Sequence, residues 1–366
     1  QIKSIYFFNL FFISMSQIYF KTTILFLLFS FFAYSQPKAG YYDAAVGKAD
    51  AQLKTQLYSI ISSGYVSKSY DFLYTIYETS DVTSTGNVWD MYSTCTWTPG
   101  VKKCGNSSVV CDCYNREHSI PQSWFNEASP MVSDAFHVYP TDGKVNGQRS
   151  NYPFGECANG TTLARGKGKL GSSTFAGYSG TVFEPDDEYK GDFARTYFYF
   201  ATRYQNIMTT IGGESFNKTT YPSLSNWSAE LFMKWHRQDP VSQKEIDRNN
   251  AVEVYQKNRN PFIDYPMFAE HIWGSKKGIE WSFTSGIDEL RIVCNVSPIP
   301  ATDVLNITTD EKEFVCSVIS LNGQILSVSN LTSPASLDVS GLNNGMYLLL
   351  IENGNRRNIT KFTINR

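Results

Sequence analysis

The segment from Arg116 to Gly155 opens with Arg-Glu-His-Ser-Ile-Pro at 116–121 and continues with Asn-Gly-Gln-Arg-Ser-Asn at 146–151. It combines a histidine suited to general-base work, carboxylate and amide oxygens of the type that hard metal ions prefer, and arginines that match phosphate. Hydrolysis of a phosphodiester requires a base, a divalent cation and a phosphate-binding cation. The segment therefore predicts a site for phosphodiester cleavage.

His118 is the candidate base, because the pKa of an unperturbed histidine lies near neutrality. Glu117 and Asn146 are the candidate metal ligands, since carboxylate and amide oxygens suit magnesium or calcium. Adjacent side chains on a regular strand point to opposite faces, so Glu117 and His118 can share a site only at a strand end or in an irregular turn. Pro121, which follows soon afterwards, is typical of such an ending.

Each of these residues also has a structural explanation. A second Glu-His pair occurs at Glu270-His271, which we expect to be helix surface or polar packing in the core. His118 alone could equally be a buried structural histidine, and Asn146-Gly147 alone would indicate a turn. His137 and His236 have no local feature that separates a ligand from a structural residue.

Composition indicates a globular chain with a sizeable core, not a disordered or collagenous one. The 366 residues carry a formal net charge of −2, only 18% are charged, and 23 Tyr, 25 Phe and 7 Trp are present. The length allows one large domain and a smaller one. A protein that holds nucleic acid mainly by neutralising phosphates is usually basic, so the charge argues against tight, stable binding. Arginines and lysines between positions 149 and 203 still offer a local basic face.

Residues 1–35 have the pattern of a secretory signal peptide. A lysine precedes the apolar run from Ile24 to Phe32, and the small residues of Ala33-Tyr34-Ser35 indicate a cleavage site. Met15 lies just before this pattern, so residues 1–14 could be an upstream extension of the gene model. The alternative is a membrane anchor, but the apolar run is shorter than the ~20 residues that span a bilayer. We expect no stable membrane insertion.

Seven cysteines are present: Cys95, Cys104, Cys111, Cys113, Cys157, Cys294 and Cys316. Five of them lie between positions 95 and 157, around the candidate site, and in an exported protein this predicts one or two disulfides that fix long loops. A zinc site is the competing interpretation, but the C-x-C spacing of Cys111 and Cys113 differs from the C-x2-C of common zinc modules. The odd number leaves at least one thiol free or paired elsewhere, and the connectivity stays open.

The spacing of apolar residues predicts a helix over 44–63. A run without proline or glycine from Ala194 to Met208 predicts a buried helix. Two further helices are expected at Ser228–His236 and Ser242–Arg259, the second opened by a capping-box pattern. We therefore expect residues 36–294 to form a mainly helical domain with a small strand content.

After about position 295 the pattern changes to short alternating runs separated by turn residues, such as Asn322-Gly323 and Asn343-Asn344-Gly345. Strands at ~10-residue spacing with turns of this kind predict a small β-sandwich over residues 295–366. The predicted fold class is therefore α+β, with an all-β module at the end of the chain.

Four blocks of the sequence carry a family resemblance, at Cys111–Phe125, Asp134–Tyr152, Lys190–Tyr199 and from Trp235 to Asp264. In this order they resemble the bacterial endonuclease I family, extracellular or periplasmic nucleases of the His-Me finger (ββα-metal) superfamily. The resemblance covers residues 40 to 280. It implies a ββα-metal fold around the Arg-Glu-His stretch.

The resemblance implies that His118 is the general base and that Glu117 and Asn146 bind a single divalent metal ion, Mg²⁺, with Ca²⁺ or Mn²⁺ as alternatives. It also implies a largely sequence-nonspecific cut of DNA, with RNA as a further substrate, that leaves 5′-phosphate ends. An arginine that steadies the product phosphate is expected, and Arg149 and Arg195 are the two nominees. Either could instead be a structural ion-pair partner.

One position departs from the family pattern. Where members often carry two histidines in the Asp134 to Pro140 block, this chain has Phe136 followed by His137. The departure and the acidic balance keep a second hypothesis open, a catalytically inactive surface binding or adhesion protein on a nuclease scaffold. The joint retention of base and metal ligands favours the enzyme.

The stretch from Ser297 to Ile307, together with Leu342–Tyr347, resembles the sorting domain that directs proteins through the type IX secretion system. It implies passage through the periplasm, then release or attachment to the cell surface, with the module cleaved off. A carbohydrate-binding or adhesive β-sandwich is the competing interpretation. We expect a monomer whose partners are nucleic acid and the secretion machinery.

Overall fold

The computed structural model describes residues 37–163, 167–283, 292–321, 323–354 and 356–366. The predicted signal peptide, residues 1–35, therefore lies outside the described residues. Within these ranges no helix is both long and apolar enough to cross a bilayer.

Helices and short strands occur in groups in the first part of the chain. The helices are α1 (Asp50–Ser62), α2 (Leu73–Ser80), α3 (Gly143–Arg149), α4 (Lys190–Arg203), α5 (Asn226–Gln238), α6 (Gln243–Gln256), α7 (Pro261–Asp264) and α8 (Met267–Ile272). The strands are β1 (Tyr114–His118), β2 (Val138–Asp142), β3 (Thr161–Thr162), β4 (Gly168–Ser172) and β5 (Thr181–Pro185).

Strands β1 and β2 and helix α3 form a ββα unit. The two strands are antiparallel, with His118 opposite Val138 at the end of β1. Asp142, the last residue of β2, caps α3, because its carboxylate accepts hydrogen bonds of 2.9 Å from the backbone N–H groups of Lys144 and Val145. These two donors would otherwise be unpaired in the first turn of the helix. The helix therefore starts where the strand ends and packs beside β1.

Helix α4 lies at the centre of the core. Almost all of its side chains are buried, and those of Phe193, Tyr197 and Phe200 are fully inaccessible. Burying a large apolar side chain contributes roughly 1.5–3 kcal/mol, so a helix of this composition is stable only inside a protein. The buried helix predicted from Ala194 is confirmed, although it begins about one turn earlier, at Lys190.

The other predicted helices also form. Helices α1, α5 and α6 lie at the predicted places, with ends that differ by a few residues. The capping box at the start of α6 is present: the Ser242 hydroxyl accepts from the Glu245 N–H, and the Glu245 carboxylate accepts from the Ser242 N–H.

Residues 37–283 also contain a three-stranded antiparallel sheet in the order β3-β4-β5. The described chain therefore mixes helix and sheet, as the α+β prediction requires. The prediction that this part is mainly helical is not confirmed, because the β3-β4-β5 sheet and the β1-β2 pair accompany the helices.

Two disulfides link the loops around β1. Cys95 is bonded to Cys111, and Cys104 to Cys113, so the two loops that they close interleave. The predicted disulfides are confirmed, and the zinc interpretation of Cys111 and Cys113 is wrong because both thiols are consumed. The three remaining cysteines are free thiols: Cys157, Cys294 and Cys316.

The C-terminal part is a β-sandwich with a hydrophobic core of its own. Its strands are β6 (Cys294–Ser297), β7 (Val304–Thr309), β8 (Glu313–Ser320), β9 (Ile325–Thr332), β10 (Ala335–Asp338), β11 (Gly345–Asn353) and β12 (Arg356–Ile364). One sheet has the order β10-β7-β6 and the other β12-β11-β8-β9. Side chains from both sheets, including Ile307, Val318, Ile351 and Phe362, fill the core between them. The predicted sandwich is confirmed.

Replacing Cys104 and Cys113 together by alanine is expected to lower the free energy of unfolding by about 2–3 kcal/mol, because a short crosslinked loop restricts the unfolded chain. Urea titration followed by tryptophan fluorescence measures this change, since every tryptophan of the sequence lies before residue 292. Cys294→Ala is the control, because Cys294 forms no disulfide and lies in the sandwich. Equal stability of the double variant and the wild type would contradict the structural role of this crosslink.

Candidate active site

The ββα unit borders a cavity of about 310 Å³. Strand β1, helix α3, the turn at Cys104–Asn106 and the ring of Tyr70 contribute to its walls. Four of the five predicted site residues line it: Glu117, His118, Asn146 and Arg149. The two sequence stretches that suggested a site therefore meet at one place.

Glu117 presents one of its two carboxylate oxygens to the cavity. Oε1 accepts a hydrogen bond of 2.8 Å from the Tyr92 hydroxyl and lies 2.9 Å from Nη1 of Arg149. Oε2 has no hydrogen-bond partner among the described residues. Burial raises the pKa of this carboxyl group, and the charge of Arg149 and the Tyr92 hydroxyl partly offset that effect.

One ring nitrogen of His118 has a backbone partner, and the other has none among the described residues. Its Nε2 lies 3.0 Å from the carbonyl oxygen of Val132, which can only accept, so Nε2 carries the hydrogen. Nδ1 then holds the lone pair, and it has no partner in the described part of the chain. Burial is the main cause that lowers the pKa of His118, to about 3. His118 is also the last residue of β1, so it shares a site with Glu117 at a strand end, as predicted.

Asn146 has a fixed orientation. Its Nδ2 donates a hydrogen bond of 2.8 Å to Oδ1 of Asn115, and Nδ2 of Asn115 donates one of 2.5 Å to the carbonyl of Gly105. Oδ1 of Asn146 therefore has no role in this chain of hydrogen bonds and stays available. Asn146 and Arg149 are three positions apart on α3, so they occupy the same face of the helix.

The oxygen atoms that have no described partner are of the type that binds a hard divalent cation. Oε2 of Glu117 and Oδ1 of Asn146 are oxygen atoms without described partners, and both residues line the same cavity. Magnesium, manganese and calcium prefer such oxygen ligands, often with water in the other positions. Cys95, Cys111 and Asp142 also converge, but the two cysteines are bonded to each other and offer no thiolate.

Arg149 is buried, and its side chain connects α3 to β1. Only 1% of its side chain is exposed, and besides Glu117 it contacts the carbonyl oxygens of His118 at 2.8 Å and Ser119 at 2.7 Å. Its charge is therefore already balanced by Glu117. Arg149 therefore has the position of a structural ion-pair partner, which was the alternative to a phosphate contact.

Arg195 lies elsewhere, since it is not among the residues that line the cavity. Its guanidinium is fully buried, and Nη2 donates a hydrogen bond of 2.7 Å to Glu245 while Nη1 donates one of 2.8 Å to the carbonyl of Asp239. This is a structural ion pair that connects α4 to α6. The nomination of Arg195 as a phosphate contact has no support from this geometry.

His137 and His236 each lie beside a backbone carbonyl oxygen, that of Met131 and that of Pro266 respectively. Nε2 of His137 lies 2.6 Å from the carbonyl of Met131, and Phe136 packs on the ring of Tyr199. The position where the family often has a histidine is therefore filled by a core aromatic. Glu270 pairs with Arg237, which fits the expected structural role of the second Glu-His pair.

Sequence reasoning missed Asn115, which orients Asn146, and Tyr92, which holds Glu117. Asn115 could have been found, because it is two positions from Glu117 and lies on the same face of a strand. Tyr92 could not have been found, because 25 positions of largely irregular chain separate it from Glu117.

Comparisons with known proteins identify the family to which this part of the chain is similar. The profile of the Endonuclease I family matches residues 49–267. An extracellular ribonuclease of Bacillus amyloliquefaciens is 35% identical over 250 residues, which cover 64% of this chain and 78% of that protein. An extracellular ribonuclease of Bacillus subtilis is 34% identical over 239 residues, with the same shares of 64% and 78%. An extracellular deoxyribonuclease of Aeromonas hydrophila is 29% identical over 139 residues, which cover 38% of this chain and 52% of that protein.

A second profile, of secretion system C-terminal sorting domains, matches residues 295–365, the β-sandwich. This domain marks a protein that is secreted or held at the cell surface. The first profile spans more than half of the chain and includes the ββα unit with its cavity. The chain therefore belongs to the Endonuclease I family of nucleases and carries a type IX secretion sorting domain at its C-terminal end.

Proposed function

We propose that this nuclease depends on a divalent cation, uses His118 to activate water and leaves 5′-phosphate ends. One observation supports the proposal most: His118, Glu117 and Asn146 line one cavity, and each keeps an atom without a hydrogen-bond partner among the described residues, namely Nδ1, Oε2 and Oδ1. A base and a pair of oxygen ligands are the two parts that metal-assisted phosphodiester hydrolysis needs.

In the proposed reaction Nδ1 of His118 takes a proton from a water molecule as the water oxygen bonds to phosphorus. The bond between phosphorus and the 3′ oxygen breaks, the 3′ oxygen takes up a proton from a second water molecule, and the phosphate stays on the 5′ side. Because Nε2 of His118 faces the carbonyl of Val132, Nδ1 is the nitrogen that carries the lone pair for this step. When a divalent cation is bound by Glu117 and Asn146, it offsets the charge that develops on the phosphate and the leaving oxygen.

Arg149 acts in this proposal as a positioning residue. Its contacts with Glu117 and with the carbonyls of His118 and Ser119 fix the end of β1, so the ligand and the base keep one relative geometry. Arg195 has no direct role, because Glu245 already neutralises it in the core.

The names of the relatives suggest the substrate range. Two of the similar proteins are extracellular ribonucleases and a third is an extracellular deoxyribonuclease. We therefore propose that the chain cuts both RNA and DNA with little sequence preference. We further propose that residues 1–35 are removed as a signal peptide, that residues 36–294 are the nuclease domain, and that residues 295–366 are cleaved off after export.

Replacing His118 by alanine is expected to lower the rate of strand cutting by about 10²–10⁴-fold, the usual contribution of a general base. The measurement follows nicking of supercoiled plasmid DNA and loss of a single-stranded RNA, each in magnesium and again with EDTA. EDTA is expected to abolish cutting by the wild type, because Glu117 and Asn146 then have no cation to bind.

Glu117→Gln is expected to behave like His118→Ala, whereas Glu280→Gln serves as the matched control because Glu280 is exposed and lies outside the cavity lining. Cutting by His118→Ala at the wild-type rate would contradict the role of the base. Cutting by the wild type in EDTA would contradict the need for a cation. Folded protein that cuts neither substrate with magnesium, manganese or calcium would favour a binding or adhesion function.

Tyr92→Phe is expected to weaken divalent-cation binding by about 10–100-fold without unfolding the protein. The tyrosine hydroxyl orients the Glu117 carboxylate, and losing such an outer partner typically costs that much metal affinity. Binding of Mn²⁺, followed by electron paramagnetic resonance, measures the effect without any reaction. Tyr77→Phe is the matched control, since the buried hydroxyl of Tyr77 has no hydrogen-bond partner among the residues that the structure describes. Equal Mn²⁺ affinity in the two variants would contradict this role of Tyr92.

A further inference from the structure

Arg116 lies in the same strand as the proposed base and metal ligand, and it also lines the cavity. On β1 it shares a face with His118, two positions further along, while Glu117 projects from the other face. The second edge of β1 is bridged at Tyr114 to Lys103, and beyond that bridge Arg116, Glu117 and His118 all line the cavity. The guanidinium of Arg116 is therefore available to a ligand placed beside His118.

The plane of this guanidinium is fixed by stacking. Its central carbon lies 3.5 Å from the ring centroid of Tyr70 and 4.7 Å from that of Tyr74. Nη1 donates hydrogen bonds to the carbonyl of Tyr70 at 3.0 Å and to Oδ1 of Asp71 at 2.7 Å. Among the described residues, no carboxylate or backbone carbonyl accepts from the edge formed by Nε and Nη2, while the Tyr70 hydroxyl also hydrogen-bonds to the Arg116 side chain. An arginine edge of this kind matches two oxygens of one phosphate.

Arg116 differs in its ion-pair partner from Arg149 and Arg195, the two arginines nominated from the sequence. Arg149 and Arg195 are each neutralised by a buried carboxylate, Glu117 and Glu245. Arg116 is paired with Asp71, whose side chain is 92% exposed. An exposed ion pair contributes little and is readily exchanged. Of the arginines that line the cavity, Arg116 is therefore the one whose carboxylate partner a phosphate can displace at a small cost in free energy.

We propose that Arg116 binds a backbone phosphate of the nucleic acid substrate beside His118, and that Asp71 occupies Arg116 until the phosphate displaces it. Tyr70 and Tyr74 hold the guanidinium plane during the exchange. This inference rests on the proposed function, because it assumes that the cavity receives a phosphodiester. It assigns a substrate contact to an arginine that was not one of the two residues nominated for the phosphate from the sequence.

The test measures binding in a protein whose cutting is expected to be strongly slowed. In a His118→Ala background, fluorescence anisotropy gives the affinity for a short fluorescein-labelled DNA duplex over a series of NaCl concentrations. Adding Arg116→Met is expected to weaken binding about 10-fold or more, because a charge-assisted contact is lost. It is also expected to reduce the slope of log affinity against log salt by about 1, since one phosphate contact fewer is made.

Companion variants separate binding from folding. Arg116→Lys should retain the salt slope, because the charge remains, while part of the affinity is lost with the paired donors. Asp71→Asn should strengthen binding by about two- to five-fold, the scale of an exposed ion pair. Arg237→Met is the matched control: Arg237 is also paired with a carboxylate, Glu270, but does not line the cavity. It should leave the affinity and the salt slope unchanged.

An unchanged salt slope in Arg116→Met, or weaker binding in Asp71→Asn, would overturn the inference, and so would a His118→Ala protein that binds no DNA at the lowest salt. If Arg116→Met does not fold, Arg116→Gln and Asp71→Asn give the same answer. The proposed function can fail separately. A wild type that cuts neither DNA nor RNA would contradict the proposed hydrolysis, whereas a reduced salt slope in Arg116→Met would still support the phosphate contact.

Discussion

A buried ion pair between Arg149 and Glu117 holds the ββα unit and its cavity together. Nη1 of the arginine lies 2.9 Å from Oε1 of the glutamate, and both side chains are almost fully buried. The same guanidinium contacts the carbonyls of His118 and Ser119, so one side chain of α3 fixes three consecutive residues at the end of β1. Removing one partner of a buried pair typically costs about 3–5 kcal/mol, because the other charge is left unpaired. The positions of the proposed base and ligands depend on this contact.

Polar groups from the surrounding core complete the arrangement. The hydroxyl of Tyr92 holds Glu117, the hydroxyl of Tyr197 donates to the carbonyl of Ser119, and the carbonyl of Val132 holds the His118 ring. Each of these contacts satisfies one side of a site residue and leaves the other side open to the cavity. In these site residues, the atoms that are held by hydrogen bonds differ from the atoms that have no described partner. The site can therefore be rigid and still have atoms free to bind a cation and water.

Local patterns in the sequence predicted the parts of the site that lie close together along the chain. The Glu117-His118 pair at a strand end follows from the alternation of side chains on a strand and from Pro121 soon afterwards. The capping box at Ser242 identified the start of α6. Contacts between distant segments carry no such signal. The pairing of Arg195 with Glu245 and the interleaved disulfides depend on how the helices and loops pack, and sequence spacing does not encode that packing.

The central claim is that Glu117 and Asn146 hold one divalent cation opposite Nδ1 of His118. Anomalous diffraction from crystals soaked in Mn²⁺ tests it most directly. The account predicts one strong peak in the cavity, about 2.0–2.2 Å from a Glu117 oxygen and from Oδ1 of Asn146, with water completing the shell on the side of His118. A fully occupied peak bonded to other residues, or crystals with an intact cavity and no peak in it, would contradict the account.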